Sequence, residues 1–372
     1  MKKLSYLLAV LAFASCASEK ETQEEPTKNV EISYSIDTVL VDAKDEFLFL
    51  NWRLGISDVD TESKLLYNLN PESLRLEVID LEKLELKELV QLEKEGPNGV
   101  GGGFVIGLDK PSNGNLFLFD VTGIFQLSPD FTKMNKILFE GENLSNQGLP
   151  AEAMIDIDAA ISEEGDLIAS LYQEVGAKGN YLGLALLNVD TEELSLHPTD
   201  FLQYLKDLEI YMVQDGRTRM SFPEQHKMQF HGNKLIINTS AKNEVWMYDL
   251  DTDSLTSKTY ESKLTSNAKS GNYERTTESM ERFQEEGKKK SSEVAFNPLM
   301  HDPAREVFWR TTIEGKTKVL TVFDQDLNML GETQIEEELE IGNNTFFLDG
   351  AIYQFLNIDD EMAFVRLKPT FD

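Results

Sequence analysis

Met247-Tyr248-Asp249-Leu250-Asp251-Thr252-Asp253-Ser254-Leu255 is the stretch from which the fold can be read. An apolar run stops at an aspartate, a short polar stretch follows, and an alternating polar and apolar pattern resumes. Aspartate, asparagine and serine favour turns because their short side chains bond nearby backbone N–H groups, and alternation of period two marks a strand. The stretch therefore reads as two strands joined by a hairpin turn. Its early aspartates resemble the start of a calcium loop, but the glycine and the distal glutamate of that pattern are missing.

The pattern recurs. Val78-Ile79-Asp80-Leu81-Glu82-Lys83-Leu84 is one copy, and Leu187-Asn188-Val189-Asp190-Thr191-Glu192-Glu193-Leu194 is another. Val322-Phe323-Asp324-Gln325-Asp326-Leu327-Asn328-Met329 repeats it, and Ile124-Phe125-Gln126-Leu127-Ser128-Pro129-Asp130-Phe131 is a weaker version. Upstream of these lie further strand-like runs, at Asn115 to Asp120, Asp166 to Leu171, Lys234 to Asn238 and Glu306 to Thr311. Units of roughly 45 to 75 residues built from short strands indicate a β-propeller. One twisted four-stranded sheet cannot bury both of its faces, whereas a ring of such sheets can.

Five units fit between about residues 46 and 335. The C-terminus then supplies three more strands, Thr345 to Leu348, Ala351 to Leu356 and Ala363 to Leu367, and Glu31 to Leu40 reads as a lone strand. Joining that strand to the last three completes a sixth blade. The expectation is an all-β β-propeller over residues 31–372, with six blades, the N-terminal strand closing the last of them. Seven blades is the alternative, and a pair of packed β-sandwiches a more distant one. Two segments interrupt the repeat. Asp200 to Glu224 has room for a short helix, and Glu261 to Glu293 is polar, with a helical pattern over Glu278 to Lys290. Long insertions between repeats are frequent carriers of function.

The N-terminus opens with Met1-Lys2-Lys3, continues with an apolar stretch from Leu4 to Phe13, and reaches Ala14-Ser15-Cys16. A charged start, a short apolar region and small residues make a secretory leader over residues 1–15. Ten or so apolar residues are too few to span a bilayer, which takes about 20 in a helix. Phe13-Ala14-Ser15-Cys16 resembles the bacterial lipobox, and Cys16 is the one cysteine of the chain. With no second cysteine for a disulfide, it reads as a lipid attachment point. Residues 16–30 are polar and form a lipidated, disordered tether. The expected location is the outer membrane. Glu19, Glu21, Glu24 and Glu25 resemble the export signal of lipoproteins exposed on the cell surface in Bacteroidota-type bacteria.

The formal charge is −31, and loss of the leader with Lys2 and Lys3 makes it two units more negative. So acidic a body repels phosphates and anionic headgroups. Nucleic acid is therefore excluded as a partner, and the lipid alone is expected to hold the protein to a membrane.

Glu95-Gly96-Pro97-Asn98-Gly99-Val100-Gly101 resembles a motif of an uncharacterised β-propeller lipoprotein family of Bacteroidota. Asn297-Pro298-Leu299-Met300-His301-Asp302-Pro303-Ala304-Arg305-Glu306-Val307-Phe308-Trp309-Arg310 is similar to a late-blade motif of the same family, in which the His301 position is more often tyrosine. The resemblance covers nearly the whole mature chain. It implies a fold and a location, and supplies no catalytic residues.

Catalytic signatures are missing. No G-x-S-x-G elbow or H-E-x-x-H occurs, and Gly99-Val100-Gly101-Gly102-Gly103 lacks the lysine of a phosphate loop. No cofactor, catalytic residue or metal site is expected. Glu224, His226 and His231, with His301 and Asp302, form the best polar cluster, but His226 and His231 are five apart, on opposite faces of a strand. Arg217, Arg219, Arg275, Arg305 and Arg310, with Arg53, form a basic set that either meets an anionic ligand or pairs with carboxylates. Trp52, Trp246 and Trp309 read as strand residues that pack between blades. The candidate ligand contacts are thus Arg217, Arg219, His226, His231, His301 and Arg310. The reading is a lipid-anchored binding module that offers one propeller face to a protein, peptide or glycan. The alternative is a metal-assisted lyase or hydrolase acting on an extracellular polymer at the central channel, which requires His226, His231 and His301 to converge.

Overall fold

Asp60, Asn70, Asp80, Asn188 and Asp249 each accept backbone N–H bonds from the residues two and three positions on. The residue four positions on, respectively Lys64, Leu74, Leu84, Glu192 and Asp253, has φ between 51° and 57°. A left-handed residue with a Cβ costs roughly 1–2 kcal/mol, which the side-chain bonds at the head of the turn offset. Asp324 runs a shorter version, accepting from Asn328 N at 2.7 Å, with Leu327 left-handed at 61°. This hairpin device is the physical content of the sequence repeat.

The computed structural model describes residues 30–101, 104–139, 144, 146–175, 180–336 and 344–372. The leader (1–15), Cys16 and all of the tether but residue 30 lie outside the described residues, as do Gly102 and Gly103. β1 (Ile32–Leu40) precedes the first complete sheet. Blade 1 holds β2 (Ser57–Asp60), β3 (Leu65–Asn70), β4 (Arg75–Asp80) and β5 (Glu85–Gln91). Blade 2 holds β6 (Val105–Asp109), β7 (Leu116–Asp120), β8 (Gly123–Leu127) and β9 (Met134–Leu138). Blade 3 holds β10 (Ala153–Ile161), β11 (Leu167–Glu174), β12 (Tyr181–Asn188) and β13 (Leu194–Pro198). An inserted sheet orders β15 (Arg217–Phe222), β14 (Ile210–Gln214) and β20 (Thr276–Thr277). Blade 4 holds β16 (His226–His231), β17 (Lys234–Thr239), β18 (Glu244–Asp249) and β19 (Ser254–Thr259). Blade 5 holds β21 (Ala295–Phe296), β22 (Met300–Asp302), β23 (Val307–Glu314), β24 (Thr317–Asp324) and β25 (Met329–Gln334). The last sheet, blade 6, runs β26 (Thr345–Leu348), β27 (Ala351–Ile358), β28 (Glu361–Phe371) and then β1.

Both faces of each blade meet a neighbouring blade, so adjacent residues of a strand serve different interfaces. Leu235 and Ile237 pack toward blade 3, whereas Ile236 between them packs toward blade 5. Six apolar clusters sit at the six junctions, the last two joining blade 5 to blade 6 and blade 6 back to blade 1. The ring is therefore closed, and it is closed by β1 on β28, antiparallel from Ile32↔Phe371 to Leu40↔Ala363. Arg366 and Lys368 fasten the pairing by ion pairs to Asp37 at 2.7 and 2.8 Å.

The two interruptions fold together. β14 and β20 come from different insertions and pair in parallel. Helix α1 (Met280–Ser292) is capped by Ser279, whose side chain accepts from Arg282 N, and it buries Phe283 and Gly287. A 3-10 turn occupies Gln203–Leu208. Between the insertions Glu224 is buried and bridged by Lys269 at 3.1 Å and Lys290 at 3.0 Å.

The family-like motifs turn out to be structural. Gly99 N bonds Gly96 O and Val100 N bonds Glu93 O, folding a knot in which a Cβ on Gly99 would lie 2.6 Å from Glu95 carbon. In the late-blade motif, buried Asp302 accepts from Arg305 Nε at 2.5 Å and from Trp309 Nε1 at 3.3 Å.

Candidate binding site at the channel mouth

The first strand of each blade, with β22 taking that place in blade 5, lines the central channel. These strands start at one end, here called the mouth. A cavity of about 860 Å³ opens there, walled by Trp52 and Gly55 just before β2, His226 at the start of β16, Phe296 and Pro298 before β22, and Asn344 before β26. Arg53, Asp158, Glu224, Lys227 and Asn238 belong to its polar wall. Below it a second cavity of about 360 Å³ continues down the channel, sharing Gly55, Asp158, Lys227, Pro298 and Asn344 with the first.

Three carboxylates, of Asp58, Asp109 and Asp158, line the lower cavity. Asp58 and Asp109, from neighbouring blades, are hydrogen-bonded to each other. Asp58 Oδ2 accepts from Lys110 N at 2.8 Å in blade 2, and Asp109 Oδ2 accepts from Ile161 N at 3.3 Å in blade 3. Each acid thus clasps the next blade. Burial pushes the Asp58 carboxyl up to about 8, with the Asp109 carboxylate adding to the shift, and burial raises Asp109 as well. The pair keeps a proton that two exposed acids would have lost, and Lys227 is the cation that faces it. Asp158 joins the group through a bulge: the pairing of β10 with β11 shifts register between Ile155 and Ala159. Bulges re-aim side chains in this manner beside binding sites.

His226 belongs to a separate network. Its Nδ1 lies 3.3 Å from the Tyr181 hydroxyl, its ring is near Asp156, and Gln173 Nε2 donates to Asp156 Oδ2 at 3.1 Å. His226 Nε2 and Asn238 Oδ1 are buried atoms with no hydrogen-bond partner among the described residues.

The predicted residues scatter. His226 and His231 stand at opposite ends of β16 and on opposite faces, because the strand pairs without irregularity. His231 meets His301, ring centroids 4.5 Å apart, and both rings pack on Phe308. Burial and His231 lower the His301 pKa, which keeps the ring neutral. The three histidines therefore do not converge, and among the described residues no group of three or more potential ligands could hold a metal ion. That removes the geometry the metal-assisted enzyme requires.

The arginines do not gather at the channel either. Arg217 and Arg219 are exposed on β15, at the edge of the inserted sheet. Arg310 is fully buried between blades 4 and 5, caged by Phe296, Tyr260 and Phe323, and bonded to Asn243; burial lowers its pKa to about 10. Arg275 pairs with Asp207 and Arg305 with Asp302, which leaves Arg53 as the member of that set at the mouth.

Trp52 departs from the strand reading. Trp309 is fully buried and Trp246 packs on Phe201, but Trp52 sits in a turn before β2, 46% exposed on the cavity wall, edge-on to Phe49 at 6.1 Å. It is not alone. Every large apolar side chain exposed among the described residues, such as Phe47, Phe104, Val121, Val175 and Met220, lies in or within two residues of a connection that gathers at the mouth end. The turns joining first to second and third to fourth strands, at the other end, carry none. Sequence reasoning missed Asp58, Asp109, Asp156 and Asp158, although aspartates interrupting otherwise apolar inner strands were the available signal.

Sheets ringed around a polar channel and closed by an N-terminal strand define a β-propeller. The chain belongs to the DUF4221 family, a domain of unknown function whose model matches residues 29–334. It is similar in fold to a crystal structure of a DUF4221 member from Bacteroides vulgatus, with 13% identity, TM-score 0.63, and coverage of 93% of this chain and 100% of that one. It is also similar to a Bacteroides fragilis protein provisionally described as exported, with 10% identity, TM-score 0.50, and coverage of 94% and 98%. No protein of curated function matches the chain. Among the described residues no helix is long and apolar enough to cross a membrane.

Proposed function

We propose that this chain is a lipid-anchored binding module of the bacterial outer membrane, exposed on the cell surface, that holds its ligand at the propeller mouth. The observation that carries the reading is the asymmetry between the two ends. The cavity, both insertions and every exposed large apolar side chain among the described residues sit at the mouth, and binding residues concentrate on connections positioned by a rigid scaffold. The anchor rests on the leader and on Cys16.

A photo-crosslinking residue in place of Asn344, at the mouth, is expected to capture a partner on intact cells. The same residue in place of Lys83, in a turn at the far end, is expected to capture little. Equal labelling, or labelling at position 83 alone, would sink the mouth assignment. Cys16→Ala is expected to release the protein from the membrane fraction in the same cells, and its retention there would remove the lipid from the account.

A further inference from the structure

We infer that the mouth cavity takes an uncharged, hydroxyl-rich ligand, an oligosaccharide of a few rings. This rests on the mouth being the ligand site. The first ground is charge. In a chain of formal charge −31, the cavity wall balances Arg53 and Lys227 against Asp158 and Glu224, and Glu224 is already ion-paired with Lys269 and Lys290. A strongly cationic ligand finds no net attraction in such a wall, and an anionic one is repelled by the body around it.

The second ground is the mixture of surfaces. A saccharide ring has an apolar C–H face and a rim of hydroxyls. Trp52, 46% exposed on the wall and edge-on to Phe49 at 66°, supplies flat apolar surface. Around it the wall is rich in carboxamides, Asn238 and Asn344 among them, which can both donate and accept. The third ground is Asn238 itself. It is 3% exposed, its Nδ2 makes a 3.4 Å bond to Asn297 O, and its Oδ1 has no partner among the described residues. A buried acceptor without a donor is costly, and a ligand hydroxyl at the wall would relieve it. The volume, about 860 Å³, lies in the range of pockets that enclose a small ligand.

The test uses the intact chain and calorimetry with four neutral hexasaccharides, built from α-glucose, β-glucose, xylose and mannose. An oligogalacturonate and an unrelated hexapeptide accompany them. At least one neutral sugar is expected to bind and to change the tryptophan fluorescence. Trp52→Ala should weaken that binding about tenfold or more, since a central aromatic contact commonly carries over 1 kcal/mol. The melting temperature reports whether this variant folds. Asn238→Asp, which nearly preserves shape, should weaken binding in a second, independent way. If the peptide or the oligogalacturonate binds in a Trp52-dependent manner and no neutral sugar does, the ligand class is overturned while the mouth remains the site. If a sugar binds but neither substitution matters, both the class argument and the mouth assignment fall. Failure of all four neutral sugars also overturns the inference.

Discussion

Asp58 shows what a single residue contributes to this ring. Its folded pKa of about 8 stands far above the ordinary 3.8 of an aspartate. The folded state therefore binds a proton that the unfolded chain has lost. The sign is that of a raised acid: the contribution of Asp58 to stability is greatest below about pH 4, declines as pH rises, and levels off above about 8. Asp58→Asn keeps a donor for Asp109 and an acceptor for Lys110 N, and cannot ionise. Its melting temperature should fall less than that of wild type between pH 5 and 9. At pH 9 it should be the more stable protein. Parallel curves would mean that the pair titrates outside this window. Asp37 works in the opposite sense. Its hydrogen bond to Arg366, helped by Lys368, holds its carboxyl down to about 2, so its contribution is present above about 3.8 and lost as pH falls toward 2. Asp37→Asn should therefore lower the melting temperature at pH 6 and above, with a loss that shrinks as pH falls toward 2. A loss that is the same at pH 3 and pH 7 would assign Asp37 a purely packing role.

At the scale of elements, the hairpin repeat was legible because it is local. An aspartate or asparagine, two backbone N–H groups and one left-handed residue sit within five positions, so Asp80, Asn188 and Asp249 announce their turns in sequence. The closing sheet was legible too, since Thr345–Leu348 stood without a fourth strand and β1 without a partner. The site was much less so. Asp58 and Asp109 are about fifty positions apart and come together through the packing of one blade on the next, which no local pattern records. The arginines of β15 stand away from the channel, and the edge they occupy offers them a second role. An unpaired edge strand invites association with another chain, and charges and bulges are the usual defences. Arg217 and Arg219 stand on that edge, and the β14–β15 pairing carries an irregularity between Met212 and Val213. We assign both arginines this protective role. The double variant Arg217→Val with Arg219→Val is expected to melt within a few degrees of wild type, yet to self-associate in a concentration-dependent manner by light scattering. A variant that stays monomeric at high concentration would return these side chains to the pool of ligand contacts.

At the scale of the molecule, the two ends of the propeller divide the work. The far end consists of short turns whose aspartates satisfy backbone N–H groups and present no exposed large apolar side chain among the described residues. The mouth end carries the long connections, several of whose apolar residues, such as Leu54, Val100 and Leu205, also pack into the junctions between blades. The six junction clusters hold the blades together. The manner of closure has a mechanical corollary. Because β1 is the outermost strand of its sheet, antiparallel to β28, a pull on residue 30 meets the bonds of Val30 N to Leu330 O and of Asp372 N to Glu31 O first, and then the Ile32↔Phe371 pair. Load arriving through the N-terminus would be carried one rung at a time, as in opening a zip, until it reached the Asp37 ion pairs at the middle of the strand. The seam that completes the ring is thus also its mechanical fuse.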